Sequence, residues 1–400
     1  MITKLLVFLI SFLYPFDLFA FINVSGYGVT YQIFTIMISL VYVLFISCYK
    51  GRVSNFSKNI VIFFMLTMSI YVILIPMSIG GTEYVYNAFL SSMFFCVFIS
   101  VIVILSEVGN IKTITNGYYY SCLLVFLYAI YQYFARKYGL LFDYLPITNE
   151  TYLINDLNRS LQPQYSNASS FFLEPSYLGR FSVIAVFISG YIFTGFKKIT
   201  IISLAILSLC TSFSFGSFLV MFLVYFSSVI IKSEWGKLKS LPLILACGVF
   251  MIMINEDFSL RVTSFVFNVF SPDSVQGSYS IRLEGMIQAI EAFYSYPLFG
   301  SGFSIYKLMT GTMGTDSQVF EIVYQFGIVG MLLYLFLLYR IAKINDFGLM
   351  ISLLIFYYMG VYNGAFDLLN ALLFVFSIFI YREERHKKLT SVNKQELLRS

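Results

Sequence analysis

Apolar runs long enough to cross a bilayer recur along nearly the whole chain: 5–22, 30–48, 60–79, 86–105, 117–135, 176–195, 199–231, 241–255, 318–339, 347–362 and 366–381. A helix needs about 20 mainly apolar residues to cross the ~30 Å hydrocarbon core. There is no water there to pair with a bare backbone, so helices or closed barrels are the available spanning structures. The stretch from Ile199 to Ile231, 33 residues, is too long for one span and lies between Lys198 and Lys232. Splitting it around Ser212–Gly216 yields two helices and brings both lysines to the same side. The expected fold is therefore an all-α polytopic membrane protein with about 12 transmembrane helices, a single integral membrane domain over residues 1–400.

Charge tests that arrangement. With the N-terminus cytoplasmic, inner segments hold Lys4, Lys50, Arg52, Lys58, Lys112, Lys197, Lys198, Lys232, Lys237, Lys239, Arg340, Lys343, Arg382, Arg385, Lys387, Lys388, Lys394 and Arg399, 18 of the 25 basic residues. Seven fall outside: Arg136, Lys137, Arg159, Arg180, Arg261, Arg282 and Lys307. This is the bias of the positive-inside rule, and it makes 382–400 a basic cytoplasmic tail. It also explains a net charge of +5 without nucleic acid as a partner. Soluble proteins are about 25% charged; at 11% charged and 59% hydrophobic, this chain cannot be a water-soluble globule or a disordered one. The run 5–22 reads as a retained first span, since it contains Asp17 and has no small-residue cleavage site. Cys48, Cys96, Cys122, Cys210 and Cys247 all sit in apolar runs without metal-ligand spacing, so neither a disulfide framework nor a metal is expected. The lone histidine, His386, lies in the tail.

Two loops on the outer side are long, 136–175 and 256–317, and long loops in a tight bundle carry function more often than short ones. The first ends in Phe171-Phe-Leu-Glu-Pro-Ser-Tyr-Leu-Gly-Arg180. Pro175 suits the first position of a helix, where its missing N–H costs nothing. Arg180 then stands in an early turn, near the positive end of the helix dipole, where a cation in the membrane costs ~2.5–3.5 kcal/mol or more. A bound anion relieves both penalties; snorkelling to the headgroups or pairing with Glu174 are the alternatives. The second loop contains an amphipathic helix from Ser280 to Pro297, with Leu283, Ile287, Ile290 and Tyr294 on one stripe and Glu284, Gln288, Glu291 and Ser295 on another. Arg282 lies in its first turn, roughly opposite the Glu284 stripe, and the same argument makes it an anion ligand or half of an ion pair. Arg261 follows Glu256 and Asp257, which could pair with it. Asp316, at the mouth of the next span, is a base, a sugar ligand or a helix cap. Asp17 and Asp367 are ionisable groups within or at the edge of spans. Phosphate loops, H-E-x-x-H, Asp-x-Asp and G-x-S-x-G motifs are lacking, which disfavours a nucleotide-fuelled or metal-dependent enzyme.

The layout resembles the bacterial O-antigen polymerase (Wzy) family and, more distantly, the O-antigen ligases of the same superfamily. Three segments carry the resemblance: Phe172-Leu-Glu-Pro-Ser-Tyr-Leu-Gly-Arg180, Ser280-Ile-Arg282 through Pro297-Leu-Phe-Gly-Ser-Gly302, and Asp316-Ser through Gln325-Phe-Gly-Ile-Val-Gly330. The resemblance implies a GT-C-like membrane glycosyltransferase without cofactor or metal. Its substrates would be oligosaccharide repeat units on undecaprenyl pyrophosphate, joined at the periplasmic face of the inner membrane, with both termini cytoplasmic. It implies catalytic roles for Arg180, Arg282, Glu174 and Asp316, substrate contacts from Arg180, Arg282, Tyr177 and Arg261, and a polysaccharide chain-length regulator as partner. Asp316 stands where ligase-like members have histidine, which disfavours the ligase alternative. A flippase or transporter would carry charges through the membrane and matched halves; here the charges gather at one face.

Overall fold

The computed structural model describes residues 2–16, 18–24, 27–50, 101–102, 104–105, 110–143, 145, 147–148, 167–172, 174–232, 287, 289–291, 293–300, 318–360 and 369–382. Within them run α1 (Ile2–Phe12), β1 (Ala20–Val24), β2 (Tyr27–Thr30), α2 (Tyr31–Lys50), α3 (Ile111–Tyr138), α4 (Pro175–Ile192), α5 (Gly195–Ser212), α6 (Phe215–Ile231), α7 (Gln318–Ala342), α8 (Asp346–Met359) and α9 (Leu369–Arg382). Two of these, Gly195–Ser212 and the Ile322–Ala342 part of α7, are long and apolar enough to cross a membrane, and shorter apolar helices accompany them. The spans expected at 60–79 and 241–255, and nearly all of 86–105, lie outside the described residues.

The chain departs from the expected all-α fold at its beginning. The run 5–22 does not form one span: α1 stops at Phe12 after 11 residues, about 16 Å of helix. Pro15 has no N–H to give and disfavours helix in the residue before it, so the chain turns there. It then forms an antiparallel hairpin pairing Ala20 with Thr30 and Val24 with Tyr27. Thr148, from the first long loop, docks on this hairpin. Its Oγ1 accepts from the Ala20 N–H at 3.0 Å, and its carbonyl accepts from Asn23 Nδ2 at 2.9 Å.

Other boundaries follow the sequence. Asn110 caps α3 by accepting from the Lys112 N–H, and Gly139 ends it at φ 64°, in the left-handed region. Pro175 opens α4 at its first turn. The 199–231 stretch breaks into α5 and α6 at Phe213–Ser214, inside the interval where the split is expected.

α4 is the centre of the bundle. It packs on α5, α6 and α8 and touches α3, and three consecutive residues show how. Neighbours on a helix point ~100° apart, so each meets a different element. Gly179 faces α6 so closely that an added Cβ would lie 2.5 Å from Ser217 Oγ. Phe181 faces α1 and α3, among the rings of Tyr14, Tyr118, Phe126 and Phe172. Arg180 faces α8 and α9. Small residues and hydroxyls line the seams: Ser182 Oγ lies 3.3 Å from Ser208 Oγ of α5, and Ser214 Oγ donates to Ser217 Oγ at 2.9 Å. Close backbone approach of this kind is how helices associate where lipid removes the hydrophobic incentive.

The helices alternate in direction, and their charges sort accordingly. Lys112, Lys197, Lys198, Lys232, Arg340, Lys343 and Arg382 all lie at the helix ends opposite the Arg180 end. Two contacts fix that grouping: Lys197 Nζ donates to Asn116 Oδ1 at 3.4 Å, and Lys232 pairs with Asp346 at 2.8 Å. The second joins a cation at the C-terminus of α6 to an anion at the N-terminus of α8, as both dipoles favour.

At the Arg180 end, buried Gln132 of α3 holds the chain that leads into α4. Its Oε1 accepts from the Ser169 and Ser170 N–H groups at 2.9 and 2.7 Å, and its Nε2 donates to the Asp143 carbonyl at 3.1 Å. Arg136 donates from Nη1 to the Asn167 carbonyl, and Ala168 N–H bonds to Thr211 O of α5 at 2.9 Å. Replacing Gln132 by Leu strands two buried N–H groups. The expected cost is about 2–3 kcal/mol, read as a lower thermal midpoint in detergent and faster limited proteolysis between α3 and α4. An unchanged midpoint would remove the clamp from the account.

Candidate functional site

Arg180 is the largest fully buried side chain among the described residues, 2% exposed. It therefore does not snorkel. Its Nη2 donates to Asn370 Oδ1 of α9 at 3.0 Å, and its guanidinium carbon lies 5.6 Å from the centre of the Tyr358 ring of α8. Both partners are themselves 1% exposed. The cation thus lies over an aromatic ring and donates to an amide oxygen, contacts that suit a planar, delocalised guanidinium. In such a dry setting its charge acts far more strongly than in water. Sequence reasoning missed Tyr358 and Asn370, since both lie in apolar runs with no motif around them. Asn370 is 190 residues from Arg180, and only the fold brings them together.

Glu174 sits six residues before Arg180, about 9 Å lower in helix rise, and is exposed. It occupies the N-cap position of α4, but its side chain caps nothing; Oε2 accepts from Ser176 Oγ at 3.0 Å instead. Tyr177 is half-buried against the core. Arg261, Arg282 and Asp316, with Asp17 and Asp367, lie outside the described residues.

The second and third sequence segments meet. α7 is kinked at Gly327, whose φ of 66° and ψ of −167° are not helical. Pro297 and Leu298 fill the break: their carbonyls accept from the Ile328 and Val329 N–H groups at 2.9 and 3.2 Å. Gly300, at φ 74°, lies against the backbone of Gln325 and Phe326. Pro297-Leu-Phe-Gly300 and Gln325-Phe-Gly327 therefore interlock through main chain.

The loop helix before this latch faces otherwise than its stripe suggests. Residues 287, 289–291 and 293–295 are helical, yet Ile287, Ile290 and Tyr294 are exposed, and Ala289 is the buried residue, packed with Tyr324 and Phe320. The close approach to α7 admits a methyl group and turns the larger side chains outward. Glu291 is exposed as well.

These features define a class: a helical membrane protein with a guanidinium buried in its interior near one end of the bundle. Residues 200–335 match the Wzy_C family model, described as O-Antigen ligase. The match spans 136 of the 400 residues and covers α5, α6, the second long loop and most of α7. It supports a place in the O-antigen polymerase/ligase superfamily of membrane glycosyltransferase-like enzymes, and with it a role in O-antigen or lipopolysaccharide synthesis. A comparison with curated proteins finds no match.

Proposed function

We propose that this chain is an O-antigen polymerase that joins undecaprenyl-pyrophosphate-linked oligosaccharide repeat units at the periplasmic face of the inner membrane. The observation that carries the proposal is Arg180, a permanently charged fork buried between Tyr358 and Asn370. In the reaction, a terminal hydroxyl oxygen of one lipid-linked unit attacks the anomeric carbon of the chain carried on another. The bond from that carbon to the pyrophosphate oxygen breaks, and undecaprenyl pyrophosphate leaves with the bonding electrons. Negative charge grows on the departing diphosphate, so fixed cations in a water-poor site are the catalyst it needs. Arginine suits this because it binds phosphate oxygens with two parallel N–H groups. Arg180 takes that role with Arg282, while Tyr177 and Arg261 contact substrate. The hydroxyl proton passes to a carboxylate, Glu174 or Asp316. The energy resides in the donor's phosphate linkage, so no nucleotide is required.

Sorting of basic residues to the end away from Arg180 supports cytoplasmic termini and a periplasmic site. The lone histidine lies in the C-terminal tail, which favours polymerase over ligase. A chain-length regulator is the proposed partner. Purified protein mixed with a synthetic lipid-linked repeat unit is expected to produce a ladder of polymers. Substrate that stays monomeric with demonstrably folded protein would overturn the proposal. Transfer of finished polymer to a lipid acceptor without a ladder would move the chain to the ligases.

A further inference from the structure

We infer that residues 140–142 form a strap that docks into lipid, in the leaflet at the Arg180 end of the bundle, and that tyrosine hydroxyls of α3 fit its backbone to that setting. α3 carries an apolar stripe: Tyr120, Leu124, Leu127, Tyr131, Phe134 and Tyr138 recur at helical spacing and are all exposed. On a membrane protein such a stripe meets acyl chains. After Gly139 the chain does not leave α3 but folds back along it. Tyr131 Oη donates to the Leu141 carbonyl and Tyr128 Oη to the Phe142 carbonyl at 3.0 Å, while Gln132 Nε2 and Arg136 Nε donate to the Asp143 carbonyl at 3.1 and 3.3 Å. Side chains of α3 thus take three successive carbonyls of a non-helical segment. The side chains of the strap point the other way: Leu141 is 80% and Phe142 72% exposed, and Leu140 is exposed as well. Backbone paired inward with apolar side chains outward is the inverse of a loop in water, where carbonyls find partners freely and leucine or phenylalanine gains by burial. In hydrocarbon an unpaired carbonyl is costly and an apolar side chain is not. The occupant is lipid because Tyr131 belongs to both the stripe and the clamp, so the strap continues a lipid-facing surface. Tyrosine suits that interface, and exposed Lys137 beside it can reach the headgroups. Gln132 also holds the Ser169 and Ser170 N–H groups, so the strap ties the lead into α4 to the bilayer. Lipid docking here does not depend on the role given to Arg180.

Fluorescence tests this directly, since the sole tryptophan, Trp235, can be replaced by phenylalanine and a new one placed by Leu141→Trp. The full chain is set in nanodiscs whose phospholipids carry bromine on their acyl chains. Lipid quenching of the new indole is expected to be comparable to that of a Leu127→Trp control on the stripe. Aqueous acrylamide is expected to quench it several-fold less than free tryptophan. Acrylamide quenching equal to that of free tryptophan, without quenching by lipid, would overturn the inference. So would protection from both quenchers, which means that protein, from this chain or a second copy, covers the strap. Tyr128→Phe combined with Tyr131→Phe removes both hydroxyls. Lipid quenching at position 141 is then expected to fall several-fold and acrylamide quenching to rise, because the bared carbonyls draw the strap to water. Unchanged quenching in that variant would discard the hydroxyls as what fits the strap to lipid. Should Leu141→Trp not fold, Phe142→Trp, one aromatic ring for another, carries the same expected and overturning results.

Discussion

Replacing Arg180 by alanine is expected to abolish the polymer ladder. A preorganised cation on developing charge is worth about 3–4 kcal/mol, or two to three orders of magnitude in rate, on the scale of a lost oxyanion-hole donor. Burial raises rather than lowers that worth, because little water competes for the charge at 2% exposure. Arg180→Lys is the instructive companion. It keeps the charge but loses the fork and the flat face that lies 5.6 Å from the Tyr358 ring centre, so activity should fall to an intermediate level while the protein stays folded. The measurement is initial rate against thermal midpoint for both variants in the same nanodiscs. A purely structural arginine would lose rate only in step with stability. Full polymerisation by Arg180→Ala would remove this residue from the mechanism.

Gly327→Ala is expected to be the most destabilising single-methyl change in the described residues. At φ 66° and ψ −167° the backbone occupies a region open essentially to glycine alone, which costs another residue ~1–3 kcal/mol. The new Cβ would also lie 2.3 Å from the Leu298 carbonyl oxygen and 2.6 Å from the Gly300 nitrogen. Both are main-chain atoms that cannot turn aside, so overpacking adds ~1–3 kcal/mol. A total loss of about 2–6 kcal/mol should appear as a steep drop in thermal midpoint or in folded yield. Gly300→Ala should behave alike, its Cβ 2.4 Å from Gln325 backbone atoms. Gly190 of α4 supplies the control: nothing lies within 4 Å of its added Cβ, so alanine there should be neutral or mildly stabilising. A wild-type midpoint for Gly327→Ala would mean the two segments do not interlock as described.

What could be read in advance was whatever depends on a residue and its near neighbours. Pro175 announces the start of α4 because proline's constraint is local. The break between α5 and α6 follows from length and from two lysines that cannot sit on opposite faces. The early end of α1 had the same kind of signal in Pro15, but the apolar run continued past it, and hydropathy alone does not separate a span from a short helix and a hairpin. The kink of α7 is different: beside Gly327 the Ile328 and Val329 N–H groups bond to Pro297 and Leu298, and that depends on a segment 30 residues earlier. The outward stripe of the loop helix likewise depends on how near α7 comes to Ala289. Of the candidate site, Arg180 was legible because its position defies helix electrostatics. Asn370 and Tyr358 were not, since a polar residue in an apolar run carries no mark of what it faces.

The contact between Arg180 and Asn370 also has a history in time. Synthesis runs from the N-terminus, so α4 enters the bilayer long before α9 exists. At about 5–20 residues per second, the 190 intervening residues occupy the ribosome for ~10–40 s. Throughout that interval the guanidinium is lodged in a growing bundle without its Asn370 acceptor. The pairing of α4 with α9 therefore closes late in synthesis, when α9 brings Asn370 to Arg180.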